Sequence, residues 1–229
     1  TDRKGLVTHS LPLCRESISM WDSIFKEGTV PSLNSPDKEE ILLKVLVLGL
    51  RDYVAKCGFK SVILGLSGGI DSALVAIIAC AALGADNVLA ILMPSPWSSE
   101  SSVKDAKDLA KRLDIQTEVI PITPLMHSYD TSLKASLGET PQGLTAENLQ
   151  ARIRGTLLMA IANEQKHLLL STGNKSEYAV GYCTLYGDMN GGLSVIGDLY
   201  KTSVFNLCNW LDSDKACQYR KSLMFPEHE

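Results

Sequence analysis

The chain has 229 residues, of which 45% are hydrophobic and 21% are charged. This composition excludes a disordered chain, a collagen-like repeat and a coiled coil, and the length suffices for one large α/β domain. The 22 basic and 26 acidic residues give a net charge of −4, so no overall basic field exists to bind a nucleic-acid backbone.

Neither a membrane span nor a secretory signal is visible in the sequence. The longest uncharged run, Ser72 to Ala85, is shorter than the roughly 20 apolar residues that cross a bilayer. The N-terminal residues TDRKGLVTHS lack an apolar stretch and a cleavage site. The six cysteines form no CxxC pair and have no histidine at zinc-finger spacing. We therefore expect reduced thiols in a cytoplasmic protein that binds neither membranes nor nucleic acids.

The first 36 residues differ in pattern from the rest of the chain. They contain many serines, three prolines and little periodicity. We interpret residues 1–36 as a connector or the tail of an upstream domain that is absent, and residues 37–229 as the folded domain.

From Asp37 onward, helix and strand patterns alternate. Acidic residues after Pro36 are typical of a helix N-terminus, and Gly58 is a plausible stop. Short apolar runs indicate buried strands, and apolar residues at a spacing of 3.6 indicate helices. The predicted strands are 60–66, 88–93, 116–122 and 167–172. The predicted helices are one between Asp37 and Gly58, then 73–83, 98–113, 145–166 and 200–212.

This alternation predicts an α/β fold, a doubly wound parallel sheet with helices on both faces. Ligands of such sheets bind at the carboxyl ends of the strands, close to the point where the strand order reverses. The polar motifs of this sequence fall at those ends.

The first motif, GLSGGIDS, lies between the first strand and the next helix and comprises Gly65, Leu66, Ser67, Gly68, Gly69, Ile70, Asp71 and Ser72. Glycines let the backbone turn sharply and approach a ligand, and N–H groups before a helix favour phosphate oxygens. The motif lacks the GK[ST] ending of a Walker A loop.

Asp71 is unexpected beside a phosphate, because a carboxylate repels it unless a cation lies between them. Mg²⁺ bridging the carboxylate and the phosphate resolves this conflict. The alternative is a glycine turn in which Asp71 only caps the helix.

Two later segments carry further polar side chains. In ENLQARIR, Asn148 and Arg152 are i,i+4 neighbours beside an apolar stripe, as are Gln150 and Arg154. Such pairs suit an extended anionic ligand, although a solvated helix face has the same pattern. The segment STGNKSE follows the fourth strand, where Thr172 can donate to a nucleotide and Glu177 can ligate a metal; the alternative is a capped helix.

A glycine-rich loop over residues 182–192 is long enough to be a moving cover, and Lys201 follows it. A lysine at this point can offset phosphate charge, although a lone lysine at a helix start is usually solvated.

The SGGxDS string resembles the hallmark of the N-type ATP pyrophosphatase superfamily, whose fold is adenine nucleotide alpha hydrolase-like. Together with ENLQARIRG, STGNKSE, YGDMNGG, GDLYKT and MPSPWSSESS, it resembles the NAD synthetase family over about residues 40–212. Leu185 stands where the ammonia-only branch tends to carry lysine, so the similarity is greatest to the synthetase domain of the glutamine-dependent type.

This resemblance implies a role for each matching residue. Residues 65–72, Thr172 and Lys201 would bind ATP, Asp71 and Glu177 would hold Mg²⁺, and Asp71 and Lys201 would act in catalysis. The residues implied for deamido-NAD are Asn148, Arg152, Glu177 and Asp188.

The resemblance also implies partners: ATP, deamido-NAD, ammonia, a second copy in a homodimer and an upstream glutaminase domain. Residues 1–36 contain no glutaminase triad, and the family's P-S-A-E-L segment is missing before Glu229. We therefore expect a domain truncated at its C-terminus.

The implied reaction is the ATP-dependent amidation of deamido-NAD to NAD through an acyl-adenylate, with release of AMP and pyrophosphate. Two alternatives remain open. One is another ATP pyrophosphatase enzyme, such as one for GMP or asparagine synthesis or tRNA thiolation. The other is a nucleotide-binding module without turnover.

Overall fold

The structure is a computed structural model that describes residues 7, 9–20 and 36–217. The helices are α1 (Lys38–Lys56), α2 (Ile70–Leu83), α3 (Glu100–Leu113), α4 (Thr123–Leu137), α5 (Gly143–Gln165), α6 (Lys175–Val180) and α7 (Lys201–Asp212). The strands are β1 (Val62–Gly65), β2 (Val88–Leu92), β3 (Gln116–Val119), β4 (Leu168–Ser171) and β5 (Leu193–Ser194).

The five strands form one parallel sheet in the order β3-β2-β1-β4-β5. The chain builds β1, β2 and β3 outward in one direction and then returns to add β4 on the other side of β1. The order therefore reverses between β1 and β4, and a crevice is expected at the carboxyl ends of these two strands. The predicted parallel sheet is confirmed.

Helices cover both faces of the sheet. Alternate residues of each strand point to opposite sides, so each buried strand contributes side chains to both layers. Val62 and Leu64 pack in the larger core with α1, α2, α3 and α7, whereas Ile63 packs on the other face with Ala162 of α5. Met126 of α4 extends this second layer. All three β1 side chains are fully buried, as expected for a central strand.

Two predicted element boundaries differ from the structure by three residues, and the other boundaries of the predicted elements lie within two residues. Helix α2 begins at Ile70 and not at residue 73, so Asp71 and Ser72 lie in its first turn. Strand β3 ends at Val119, three residues before the predicted end, because Pro121 has no N–H to continue the ladder.

Helices α4 and α6 and strand β5 were not among the predicted elements. Helix α4 has the signals of a helix, with a proline in its first turn and Gly138 in the left-handed conformation at its end. Only Met126 of its 15 residues is buried, so the apolar periodicity is weak. Strand β5 has two residues, which is too short for a pattern.

Some expectations fall outside the described residues. Most of the predicted connector over 1–36 lies there, as does the chain beyond residue 217, so the division into domains stays a prediction. Within the described ranges, no helix is long and apolar enough to cross a membrane.

Candidate functional site

The glycine loop lies between β1 and α2, at the reversal point of the sheet. Gly68 has φ +85°, and a Cβ on it would lie 2.2 Å from the backbone oxygen of Ser102 in α3. Both the conformation and the close approach require glycine at this position. Packing against α3 therefore fixes the shape of the loop.

Two serine hydroxyls tie the loop together. The N–H of Ser67 donates to Ser72 Oγ (3.2 Å), and the N–H of Gly69 donates to Ser67 Oγ (3.1 Å). Ser72 Oγ in turn donates to the Gly69 carbonyl (3.0 Å). Two loop N–H groups thus have hydroxyl oxygens as partners.

Asp71 joins three elements. One carboxylate oxygen forms an ion pair with Lys201 Nζ at the start of α7, and the other accepts a hydrogen bond from Asn174 Nδ2 (3.2 Å). The Asp71 side chain is 18% exposed and that of Lys201 is 37% exposed, so a ligand can reach both. The N–H of Lys201 donates to Ser176 Oγ (3.0 Å), which ties α7 to α6.

Glu177 is held by a capping box at the start of α6. Its Oε2 accepts from the Asn174 N–H (3.0 Å), and its own N–H donates to Asn174 Oδ1 (3.1 Å). Asn174 is fully buried and forms hydrogen bonds with both predicted metal ligands. Asp71, Glu177, Asp188 and Thr172 line a common cavity of about 180 Å³.

The carboxylate oxygens of this cavity fit Mg²⁺, which prefers oxygen ligands. No group of three or more His, Cys, Asp and Glu residues suited to a metal occurs in the described part of the chain. Mg²⁺ usually needs only one or two carboxylates, with phosphate oxygens and water completing its shell. Asp71 and Glu177 are thus suited to a metal that arrives with a nucleotide.

A larger cavity of about 550 Å³ adjoins the glycine loop and reaches β2, α3 and α5. Ser67, Thr172 and Asp188 line both cavities, so one elongated ligand can occupy the two. The volume is within the usual range for small-molecule sites.

Arg154, from the second polar pair of α5, provides a cation in the larger cavity. Its Nε donates to the Met93 carbonyl at the end of β2 (3.2 Å), and burial lowers the pKa of the guanidinium. Arginine remains protonated in proteins even so, because its ordinary pKa is very high.

Asn148 and Arg152 contact the segment that precedes Asp188. Asn148 Oδ1 accepts from Thr184 Oγ1 (2.8 Å), and Arg152 Nε donates to the Leu185 carbonyl (3.1 Å). Asp188 Oδ1 accepts from the Thr184 N–H (2.8 Å). Of the predicted dinucleotide ligands, Glu177 and Asp188 line the cavities, whereas Asn148 and Arg152 line neither.

Cys80, which is buried, and Cys208, which is half-buried, have thiols that are protonated at neutral pH. Burial, and secondarily the Asp71 carboxylate, raises the pKa of Cys208 to about 11. Burial raises the pKa of Cys80 to about 12. A protonated thiol is a poor nucleophile, so neither cysteine has the thiolate character of a reactive one.

Sequence reasoning missed Asn174, which binds the two predicted metal ligands. Its signal was the spacing of Asn174 and Glu177 directly after a strand, a pattern typical of a capping box. That pattern predicts the contacts within α6 but not the contact to Asp71.

Comparison with known proteins gives a consistent result. The family model described as NAD synthase matches residues 42–221. A glutamine-dependent NAD(+) synthetase of Synechocystis is 55% identical over 218 residues, which cover 93% of this chain and 39% of the relative. This chain thus spans well under half the length of that protein.

Two solved structures have a similar fold. A glutamine-dependent NAD+ synthetase from Acinetobacter baumannii in complex with ADP has 44% identity and a TM-score of 0.76, covering 84% of this chain and 37% of that one. An NH3-dependent NAD synthetase from Campylobacter jejuni has 31% identity and a TM-score of 0.70, covering 81% of this chain and 78% of that one. Since the family model covers most of its length, the chain belongs to the NAD synthase family.

Proposed function

We propose that this chain amidates deamido-NAD to NAD with ATP and ammonia, releasing AMP and pyrophosphate. The observation that carries the proposal is the position of the GLSGGIDS loop at the reversal point of the sheet, with Asp71 and Glu177 facing one cavity beside it. Membership of the NAD synthase family and the synthetase relatives support it.

In the proposed reaction, the nicotinate carboxylate attacks the α-phosphorus of ATP and pyrophosphate leaves. Ammonia then attacks the acyl-adenylate and displaces AMP, so no protein nucleophile is needed. Asp71 and Glu177 would hold Mg²⁺, which when bound neutralises phosphate charge and makes pyrophosphate a better leaving group. The residues of the chain contribute alignment and charge.

Lys201 has a defined role in this scheme. Its ammonium group pairs with Asp71 and remains partly exposed. We expect it to exchange the Asp71 carboxylate for the departing pyrophosphate, because a flexible lysine acts as a mobile point cation. The loop of residues 65–72 and Thr172 would bind the remaining phosphate oxygens.

The deamido-NAD site is proposed beside the metal ligands. Asp188 and Glu177 line the same cavity as Asp71, while Asn148 and Arg152 contact the segment that precedes Asp188. If this segment moves when substrate binds, Asn148 and Arg152 become available to the dinucleotide.

The test is NAD formation by the 229-residue chain with ATP, Mg²⁺, deamido-NAD and ammonium. We expect one pyrophosphate for each NAD, a rate that rises with pH as free ammonia increases, and no NAD with ammonia-free glutamine as sole nitrogen donor. Pyrophosphate release with xanthosine monophosphate or aspartate instead would support another amide synthetase. ATP binding without turnover on any acceptor would support a module that has lost activity.

We further propose that the chain is cytoplasmic. We also propose that it forms a homodimer through a surface near α5. Val180, Tyr182, Leu185 and Tyr186 are each 64–80% exposed in the segment that Arg152 contacts, and a monomer would leave this apolar patch in water. Sedimentation should give a dimer at micromolar concentration, which Leu185→Glu weakens. Val45→Glu, at an exposed position of α1, should not change it. A monomeric parent chain would contradict the proposal.

A further inference from the structure

Asn174 is a fully buried polar residue at the N-cap of α6. Its side-chain amide has two different partners: Nδ2 donates to Asp71 Oδ1 (3.2 Å), and Oδ1 accepts from the Glu177 N–H (3.1 Å). The backbone N–H of Asn174 donates to Glu177 Oε2 (3.0 Å). One residue thus contacts a carboxylate oxygen of each predicted metal ligand.

These partners determine which way the amide of Asn174 points. In the opposite orientation, its oxygen would face the Asp71 carboxylate and its NH₂ group would face the N–H of Glu177. Both contacts would then be repulsive, because acceptor would meet acceptor and donor would meet donor. The network therefore requires a donor and an acceptor on one short side chain, which only asparagine provides at this length.

A helix cap alone does not explain asparagine at this position. Serine, threonine and aspartate cap helices about as well, since the cap needs only an acceptor. An ionised aspartate has no donor, and the hydroxyl of serine or threonine is one bond shorter than the amide nitrogen that lies 3.2 Å from Asp71, so we expect it not to reach Asp71 while it caps α6. The amide nitrogen thus makes the one contact that the cap does not require.

The segment that carries Asn174 is fixed from both sides. The Tyr178 hydroxyl is within hydrogen-bond distance of Ser171 Oγ (3.2 Å) and Ser194 Oγ (3.0 Å), at the ends of β4 and β5. It also fills the space beside Gly173, where a Cβ would lie 2.4 Å from it. The segment that carries Asn174 is therefore anchored to the ends of β4 and β5 independently of Asp71.

We propose that Asn174 is a positioning residue that holds Asp71 and Glu177 in place for the metal that accompanies ATP; this inference rests on the proposed function. When Lys201 leaves Asp71 for a phosphate, the Asn174 amide keeps the Asp71 side chain in its orientation. Asp71 Oδ2, which Lys201 releases, then becomes available to a metal in the cavity that Asp71 and Glu177 both line. Side chains that are already ordered lose less entropy when the metal and nucleotide bind.

The test measures the affinity of the 229-residue chain for α,β-methylene-ATP by calorimetry, with Mg²⁺ and with EDTA. Asn174→Ser and Asn174→Thr keep a capping oxygen and lose the donor to Asp71, and threonine is close to asparagine in volume. In each variant we expect the ratio of the affinity with Mg²⁺ to the affinity in EDTA to be about tenfold smaller than in the parent chain. The reason is that a hydrogen bond to a charged group is removed. Affinity in EDTA and helix content should stay at the parent values.

Asn87→Ser is the matched control, because it removes a half-buried asparagine hydrogen bond, to the Leu83 carbonyl, far from the site. In this control, Mg²⁺ should raise the affinity for α,β-methylene-ATP as much as in the parent chain. Parent-like Mg²⁺ dependence in both Asn174 variants, equal losses with and without Mg²⁺, or failure of both to fold would overturn the inference. A parent chain that binds the analogue with Mg²⁺ but makes no NAD would contradict the proposed function and leave this inference standing.

Discussion

Asp71→Asn is expected to reduce NAD formation by at least about a hundredfold, a loss typical of removing one charge-stabilising group from an active site. Asparagine keeps the shape of the side chain and an oxygen that accepts from Asn174. It lacks the negative charge that a Mg²⁺ ligand supplies. The affinity for ATP should therefore fall in the presence of Mg²⁺, which calorimetry with α,β-methylene-ATP measures.

The result in EDTA separates a metal ligand from a structural residue. Asp71 neutralises Lys201 in the ion pair, so Asp71→Asn leaves the ammonium group free for phosphate. Affinity in EDTA should stay the same or rise. Asp52→Asn is the matched control, because it breaks an exposed ion pair with Lys56 on α1. It should change neither the affinity for the ATP analogue with Mg²⁺ nor the affinity in EDTA. Equal losses with and without Mg²⁺ would contradict the role of Asp71.

The sheet was predictable because its signals are local. Strand β1 and helix α2 are nearly continuous apolar runs on either side of a glycine loop, and both are buried in the structure. Strand β5 and helix α4 lacked such a signal, since one has two residues and the other buries a single side chain. Apolar periodicity detects elements that contribute a face to the core and misses those at its margin.

The candidate site was predictable only in part, because its contacts are distant along the chain. The loop of residues 65–72 could be identified as a contiguous motif. The Asp71–Lys201 ion pair joins residues 130 positions apart, and the contact of Asn174 with Asp71 spans 103 positions. A sequence indicates that these residues have polar chemistry, but their partners depend on how α2, α6 and α7 meet at the sheet.

The Gly68→Ala variant tests whether the shape of the loop is needed for ATP binding. Left-handed backbone costs a residue with a Cβ about 1–2 kcal/mol. The new methyl group would also lie 2.2 Å from the Ser102 carbonyl, so the loop or the first turn of α3 must shift. We expect a midpoint of thermal unfolding several degrees lower, since about 1 kcal/mol shifts it by 2–4 °C in a domain of this size.

The loss of ATP affinity in this variant should be independent of Mg²⁺, unlike that of Asp71→Asn. The methyl group is expected to displace the loop N–H groups that are proposed to bind phosphate, whereas the proposed metal ligands Asp71 and Glu177 both remain in the chain. We expect calorimetry to show at least about a tenfold weaker affinity both with Mg²⁺ and in EDTA, as for loss of hydrogen bonds to a charged ligand.

Gly49→Ala provides the matched control for this substitution. Gly49 lies inside α1, and a Cβ on it would have no neighbouring atom within 4 Å, so alanine should raise stability by about 0.5–1 kcal/mol and leave ATP affinity unchanged. If Gly68→Ala binds the analogue as tightly as the parent chain, the loop does not hold phosphate through its backbone. A loss confined to Mg²⁺-containing buffer would instead indicate that the substitution disturbs Asp71 and Glu177, the proposed metal ligands.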